Sequence, residues 1–340
     1  MITEERLAAL EAQMAALVKP PTEYYTSRYS GEEIDKGIDG ALQLGGASTP
    51  QGAIAALGAG VRPKLTYNPF FAVNQRGQSS YTVNGYTVDC WKMGSNTATL
   101  NVLDDGVKIT LNQSPSNDLR LLHQIIENPQ DLVGKTVTAA FWITSVSGTG
   151  FRCGFRANSG TISYKYADIT TPGLYTVTFE VPSGCTELLL SSIARAGTPS
   201  GRSMNIFAAT AEIGKTQTLA YQDDSGAIQP LIQQNHTYED QLAQCQRFFL
   251  AGIASDYRAA FISSNMIAFT VPTPVTMRTG PTIIGDFLVK TISGNTQSGF
   301  VFNALRRSGN IRVTATKTSH GLTDALLNIQ NNADGFSADL

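Results

Sequence analysis

The feature that most constrains the fold is a change of hydrophobic period near residue 61. From there, apolar and polar residues alternate over short segments, which are separated by turn signals such as Asp104-Asp105-Gly106 and Pro172-Gly173. A period of two puts successive side chains on opposite faces of a β-strand. About nine or ten such segments precede residue 214, which predicts two packed antiparallel sheets. We expect a mainly β chain with a jelly-roll sandwich over 61–214.

A helical segment interrupts this alternation before the last part of the chain. Residues 215–249 are predicted to form a connector and then a helix in "TYEDQLAQCQRFFL". One face of that helix is apolar and comprises Leu242, Cys245, Phe248 and Phe249. The period of two then resumes over 250–340. We therefore predict a smaller C-terminal β-sandwich head of about six or seven strands.

The first 60 residues follow a helical period instead. Four apolar residues recur at alternating steps of three and four, as in a coiled-coil seam: Leu7, Leu10, Met14 and Leu17. Because two heptads are too short to be stable alone, this seam predicts oligomerisation. The alternative is a single amphipathic helix lying on its own domain. We interpret residues 1–60 as a helical attachment and trimerisation stem with a linker.

Composition limits the classes of partner. The net charge is −2 and charged residues make up 15 % of the 340 residues, so long-range attraction to nucleic acid is not expected. The N-terminus lacks the pattern of a secretory signal, and no apolar run is long enough to cross a membrane. We expect synthesis in a cytoplasm, without membrane insertion. The four cysteines are far apart in sequence, which favours buried free thiols.

The sequence contains no recognisable catalytic or metal-binding motif. His123, His236 and His320 lie in unrelated segments, outside any nucleophile motif. Asp334 and Asp339 supply too few oxygens for a calcium loop. We expect no enzyme activity, no metal and no cofactor, although a catalytic site shared between subunits stays open.

Sugar binding requires aromatic faces beside polar side chains. The segment 151–169 offers such a set around a predicted hairpin at Ser159-Gly160: Arg152, Arg156, Asn158, Tyr164, Tyr166 and Asp168. Tyr164 and Tyr166 alternate in register and should share one face of the sheet. They are ligand-binding candidates if that face is open to solvent, and core residues if it is not.

A second candidate set lies at a predicted hairpin tip in the terminal domain. It comprises Arg306, Arg307, Ser308 and Asn310. Loop tips of a distal domain are where a receptor is met. The alternatives are solubilising charges or an intersubunit pair.

The order of several motifs resembles that of bacteriophage and prophage tail-fibre and receptor-binding proteins. The motifs are "YSGEEIDKGIDGAL", "TPQGAIAALGAGVRPK", "NPFFAVNQRGQSSY", "GYTVDCW", "QLAQCQRFF", "VPTPVTMRTGPTI" and "FSADL". In the family an arginine usually stands where this chain has Cys90, next to Asp89. The aromatic stretch 68–93 is interpreted as a structural part of the domain entrance, with direct sugar contact as the alternative.

The resemblance implies a homotrimeric virion appendage, assembled in the host cytoplasm and joined to other virion proteins by its stem. The first sandwich would be similar to carbohydrate-binding modules and would attach the particle to a bacterial surface glycan. Three weak sites on one stem raise avidity by roughly 10²–10⁴. The alternatives are a purely structural fibre, which contacts only other virion proteins, and a glycan-cleaving fibre.

Overall fold

The computed structural model describes most of the chain beyond residue 63. The described residues are 64–223, 225–231, 238–251, 256–307, 310–329 and 335–338. The predicted seam of Leu7, Leu10, Met14 and Leu17 lies outside them, as do His236, Ser308, Asp334 and Asp339. Residues 61–220 and 232–340 form one compact unit, and residues 221–231 belong to a second.

The chain is mainly β, as predicted, and residues 64–214 form a sandwich of two six-stranded antiparallel sheets. Sheet A has the spatial order β1 (Ser80–Tyr81), β4 (Ala98–Leu103), β5 (Gly106–Leu111), β12 (Ser203–Ile213), β7 (Thr136–Val146) and β10 (Gly173–Glu180). Sheet B has the order β2 (Gly85–Tyr86), β3 (Lys92–Met93), β6 (Leu119–Ile125), β11 (Glu187–Ala194), β8 (Phe151–Asn158) and β9 (Ile162–Ile169). From β5 onward the chain crosses between the sheets at every connection except the β8–β9 hairpin, which makes this first sandwich jelly-roll-like.

The core of the first sandwich lies between the two sheets. Alternate residues of each strand point inward, so Phe141 and Ile206 of sheet A meet Phe151, Phe155 and Leu190 of sheet B. A 3-10 turn at Pro129–Leu132 leads into β7. The opposite residues of each strand form the outer faces of the sandwich. These outer faces differ in how their polar groups are paired.

The remaining strands form a hairpin and a second, terminal sandwich. The hairpin consists of β13 (Ala220–Gln222) and β14 (Ile228–Pro230). Helix α1 spans Tyr238–Gln246. Seven-stranded sheet C has the order β20 (Thr296–Gln297), β19 (Phe287–Lys290), β23 (Leu326–Ile329), β16 (Asp256–Ile262), β17 (Met266–Pro272), β22 (Asn310–Thr316) and β21 (Val301–Arg307). Sheet D has the order β15 (Phe249–Ala251), β24 (Gly335–Ser337) and β18 (Thr282–Ile284).

The terminal sandwich docks on the first through helix α1 and strand β15. Phe248 packs with Tyr67 at 5.1 Å between ring centroids, in a small cluster that includes Cys90 and Cys245. The Sγ atoms of these two cysteines are 3.6 Å apart. All four cysteines are buried and free, as predicted. Gln75 Nε2 donates to the carbonyl of Phe249 at 2.8 Å and so ties the two sandwiches together.

The aromatic stretch 68–93 has a structural role. Trp91 is buried and donates from Nε1 to the carbonyl of Asn68 at 2.9 Å. The period of two that is predicted from residue 61 onward does not hold within this stretch, because it forms only two-residue strands and leaves Val83 exposed. Asp89 is buried, and its Oδ1 forms an ion pair with Arg76 Nη1 at 3.3 Å. Its ion-pair partner therefore comes from the Asn-Gln-Arg-Gly motif rather than from position 90.

Candidate functional site

The outer face of sheet B brings together side chains from five strands. Strand register places Lys92 beside His123, His123 beside Ser191, Ser191 beside Gly154, and Gly154 beside Tyr166. These five residues form a row across the sheet, which we call the central row. Neighbouring strands lie about 4.8 Å apart, so the row is roughly 19 Å long from β3 to β9.

A tyrosine pair forms one end of this face. The rings of Tyr164 and Tyr166 are stacked at 5.7 Å with an interplanar angle of 21°. Tyr164 is 66 % exposed, whereas Tyr166 is half-buried and its hydroxyl lies 3.2 Å from Ser191 Oγ. The predicted shared face is therefore the outer one. The pair offers an aromatic surface that is held in place from below.

Gly154 allows Tyr166 to lie across the sheet. Its φ of +152° places a hypothetical Cβ 2.1 Å from the carbonyl oxygen of Lys165, which excludes any side chain. Because position 154 carries no side chain, the ring of Tyr166 passes over β8 and its hydroxyl reaches β11. Burial raises the pKa of the Tyr166 hydroxyl above its usual range. This hydroxyl is therefore a neutral hydrogen-bonding group at physiological pH.

Two ion pairs flank the tyrosine pair on neighbouring strands. Arg152 Nε donates to Asp168 Oδ1 at 2.6 Å, and Arg156 Nη1 to Glu187 Oε1 at 2.5 Å. The Asp168 hydrogen bond raises the pKa of Arg152. Asn158 stands at the strand end, where its Oδ1 accepts the backbone N–H of Gly160 in the hairpin turn. Among the predicted residues, Arg156, Tyr164, Tyr166 and Asp168 thus converge on one face.

The middle of the face is basic. His123 is only 3 % exposed, and its pKa is lowered to about 3, first by burial and then by Arg120, Lys92 and Arg156. It is therefore neutral at physiological pH. Two buried nitrogens here, His123 Nδ1 and Arg120 Nε, have no hydrogen-bond partner among the residues that the structure describes.

Arg120 is held on this face through its aliphatic part. A Cβ built on Gly94 would lie 3.1 Å from both Cβ and Cγ of Arg120, so the side chain begins directly beside this glycine. Strand pairing places Arg120 opposite Ile193, two residues from Ser191 of the central row. Its charge acts to lower the pKa of both His123 and Tyr166.

A cavity of about 430 Å³ opens at the end of the face where β9 and β11 finish. It is lined by Thr149, Gly150, Asp168, Thr170, Arg195 and Thr198. Asp168 belongs both to this cavity and to the ion pair with Arg152. The cavity therefore continues the face beyond the tyrosine pair.

The predicted hairpin tip in the terminal sandwich is a separate place. Arg306 Nη1 donates to the carbonyls of Met277 and Arg278 at 3.1 and 2.8 Å, so its guanidinium supports the local backbone. Arg307 and Asn310 are paired across β21 and β22. These residues belong to sheet C, and their role in ligand binding stays a prediction.

Sequence reasoning did not identify Lys92, Arg120, His123 and Ser191 as one group. They come from β3, β6 and β11, which are separated by many residues in sequence. The irregularity between β11 and β6 also breaks simple alternation, because Ser191 pairs with His123 but Ile193 pairs with Arg120. A possible signal is the presence of Arg and His within the otherwise apolar "LRLLHQII".

The described residues contain no candidate metal site and no candidate membrane-spanning helix. Among them, no group of three or more His, Cys, Asp or Glu side chains is arranged to hold a metal ion. No helix in this part of the chain is long and apolar enough to cross a bilayer.

No protein-family model matches this chain. No curated protein matches it either. Among solved structures, the C-terminal family 22 carbohydrate-binding module of Clostridium thermocellum Xyn10B is 14 % identical, with coverage of 41 % of this chain and 96 % of the module and a TM-score of 0.30. The module TmCBM61, solved with β-1,4-galactotriose, is 10 % identical, with 45 % and 99 % coverage and a TM-score of 0.28.

The tandem family 22 modules of Paenibacillus barcinonensis Xyn10C are also 10 % identical, with coverage of 83 % of this chain and 99 % of theirs and a TM-score of 0.28. At such low scores the likenesses carry no argument about the ligand of this chain. The functional inference therefore rests on the outer face of sheet B itself.

Proposed function

We propose that this protein binds a glycan on the outer face of sheet B. The observation that carries the proposal is the tyrosine pair, because an exposed ring that is stacked on an anchored one is a suitable surface for the apolar side of a sugar. Arg152, Asp168, Arg156 and Glu187 place charged donors and acceptors beside it for hydroxyl groups. The roughly 19 Å length of the central row favours an oligosaccharide over a single sugar.

We propose binding without cleavage. A glycosidase needs two carboxyl groups on either side of the scissile bond. On this face, Asp168 and Glu187 are each held by an arginine, at opposite ends of the register of β8. This arrangement supports a fixed polar surface rather than an acid and a base. Incubating a bound glycan with the protein and measuring new reducing ends tests this part.

The sharpest test of glycan binding compares two exposed tyrosines. Tyr164→Ala removes the outer ring, and we expect about tenfold weaker binding to an immobilised glycan panel, since aromatic contacts contribute on the order of 1 kcal/mol. Tyr238→Ala is the matched control, because Tyr238 is likewise exposed, at 52 %, and belongs to helix α1 rather than to sheet B. Equal binding by both variants and the native chain would refute the proposal.

The biological setting we propose is a homotrimeric fibre of a phage or phage-like virion that attaches to a bacterial surface glycan. Its support is the ordered series of motifs from residue 29 to the C-terminus. In this setting, three copies of the face act together and gain avidity. Analytical ultracentrifugation of the full chain tests the trimer, and antibody labelling of purified particles tests the virion location. A monomer, or particles without label, would refute this setting.

A second candidate function is contact with another protein through sheet C. Three exposed apolar side chains lie on one face of this sheet: Phe261, Val301 and Leu305. Exposed apolar groups of this kind favour protein contacts. If the chain is a structural fibre only, Val301→Ser with Leu305→Ser should weaken assembly while the glycan panel stays negative for the native protein.

A further inference from the structure

We propose that the glycan carries an anionic group, which Arg120 and Lys92 bind at the centre of the outer face of sheet B. This inference rests on the proposed function and specifies its ligand class. The shared chemistry is an acidic substituent, either the carboxylate of a uronic acid or a sulfate or phosphate ester. Neutral glycans would leave this part of the face unused.

The balance of charges on the face favours an anionic ligand. Its three nearby carboxylates lie toward the rim and are taken up by arginines: Asp118 and Asp168 lie against Arg152, and Glu187 against Arg156. In the part of the chain that the structure describes, no ion pair joins Arg120 or Lys92 to a carboxylate. Lys92 instead lies over the ring of Tyr86, 5.4 Å from its centroid. The centre of the face therefore has an excess of positive charge.

Two buried nitrogens at the centre of the face, Arg120 Nε and His123 Nδ1, lack hydrogen-bond partners among the described residues. Buried polar atoms in folded proteins almost always have hydrogen-bond partners, so exceptions call for an explanation. Arg120 Nε can only donate, and neutral His123 donates from Nδ1 in one of its two tautomers. An acidic group has acceptor oxygens for both nitrogens.

The guanidinium of Arg120 is in a suitable position to bind an anion. Arg120 lies beside Gly94 at its base, and strand pairing places it opposite Ile193, two residues from Ser191 of the central row. Arginine presents several N–H groups in a planar fork that matches carboxylate, sulfate and phosphate oxygens. An anion bound there would also lie beside the tyrosine pair. One sugar residue would then stack on the tyrosines, while the acidic group of the next sugar residue is neutralised by Arg120.

The test uses matched ligands that differ in charge. Full-length protein is titrated with oligogalacturonate, with the fully methyl-esterified form of the same oligomer, and with a sulfated galactan oligomer. We expect at least one acidic probe to bind about tenfold or more tightly than the neutral ester, with a preference that falls as salt is raised. Comparing the carboxylate with the sulfate distinguishes the two sources of charge.

Variants then assign the preference to residues. Arg120→Gln should remove most of the difference between acidic and neutral probes, and Lys92→Gln should reduce it. Lys165→Gln is the matched control, because Lys165 alternates with Tyr164 and Tyr166 on the same strand and so points to the opposite side. It removes the same charge but should leave the preference intact. Tyr164→Ala should weaken acidic and neutral probes alike.

The possible outcomes separate this inference from the proposed function. If the neutral ester binds as tightly as the acidic probes, and Tyr164→Ala weakens it, the face binds glycans but the acidic ligand class is wrong. If Arg120→Gln weakens all probes equally, the anion contact is likewise overturned. If no probe binds and the native chain binds only neutral members of the glycan panel, the acidic ligand class is wrong. If the panel is silent as well, both proposals fail together. Circular dichroism of each variant confirms that it is folded.

Discussion

The two outer faces of the first sandwich both carry buried polar residues, and they differ in how these residues are paired. On sheet A, Glu212 is fully buried and has several protein partners. Lys64 Nζ lies 3.3 Å away, and the backbone N–H and the hydroxyl of Thr218 donate at 2.9 and 2.8 Å. Thr210 likewise meets the hydroxyl of Thr66 at 3.2 Å. The polar groups of this face are completed from within the chain.

On sheet B, His123 is nearly as buried as Glu212. Within the described part of the chain, however, its Nδ1 has no hydrogen-bond partner, and neither does the neighbouring Arg120 Nε. Burial alone therefore does not identify a binding face. The informative difference is whether the protein itself satisfies the buried groups. Where it does not, a partner from outside the chain can complete them.

The largest expected effect that sharpens this comparison is a decrease in the free energy of unfolding at low pH, caused by His123. Unfolded histidine has a pKa of 6.5, and the folded value is about 3, so the unfolded state takes up a proton first as the pH falls. The resulting stability is fully present above pH 6.5 and is lost progressively down to pH 3. Between pH 7 and pH 4 this amounts to roughly 3 kcal/mol.

Urea unfolding of the native protein and His123→Asn at both pH values measures this effect. The gap in free energy of unfolding between the two proteins should narrow by about that amount at pH 4. Gln124→Ala, which changes a buried residue of the same strand that does not ionise, should give the same gap at both pH values. Parallel curves for His123→Asn would contradict the prediction.

The next effect concerns the outer face of sheet A, where the buried polar groups are paired within the chain. Glu212→Ala leaves the ammonium of Lys64 buried without its partner, and burial already lowers the pKa of this lysine. Breaking a buried pair in this way costs on the order of 3 kcal/mol. Thermal and urea unfolding should show this loss, while the relative affinities for the glycan probes stay unchanged. The double variant Lys64→Met with Glu212→Leu should recover much of the stability; no recovery would argue against the pair.

A smaller effect is expected at Tyr166, which belongs to the proposed binding face and also forms a hydrogen bond within the fold. Tyr166→Phe removes the hydrogen bond to Ser191 Oγ and should lower the free energy of unfolding by about 1 kcal/mol. Ser191→Ala should lower it by a similar amount, and the double variant should be less destabilised than the sum of the two. Strict additivity in this cycle would mean that the two hydroxyls are not coupled.

The smallest effect on stability is expected at Tyr164. Because its ring is largely exposed, Tyr164→Ala should change the free energy of unfolding by no more than about 0.5 kcal/mol. Its effect on glycan binding should nevertheless be the clearest among the tyrosine variants. Tyr81→Ala is the contrast, since Tyr81 is buried and its hydroxyl donates to Asn74 at 2.7 Å. A large loss of stability for Tyr164→Ala would show that its ring supports the fold.

Much of the fold could be predicted from sequence, because alternation is a local property. The segments around Phe141, Phe155 and Val177 each carry their inward and outward residues in a single short run, and each forms a strand. The three two-residue strands within 80–93 could not be predicted in this way, since a two-residue strand has no period. Turns with left-handed backbone, such as Cys90 at φ 68°, break the stretch.

The candidate site could be predicted only in part. Tyr164 and Tyr166 are two residues apart on one strand, so their common face follows from the period of two. The contact between Tyr166 and Ser191 depends on Gly154, which lies between them in register on a third strand. Arg120 and His123 join the same face through a register irregularity. Such long-range relations are set by strand pairing, which a single sequence does not state.

The docking of the two sandwiches has a mechanical consequence. Arg76 lies over the ring of Phe249 at 3.9 Å and over the ring of Tyr86 at 5.6 Å, and Lys92 lies 5.4 Å from the centroid of Tyr86. We expect these side chains to pass part of a pulling force on the terminal sandwich to the β3 end of the central row. Such a force would act on Lys92 before it acts on the tyrosine pair, which lies at the opposite edge of the sheet.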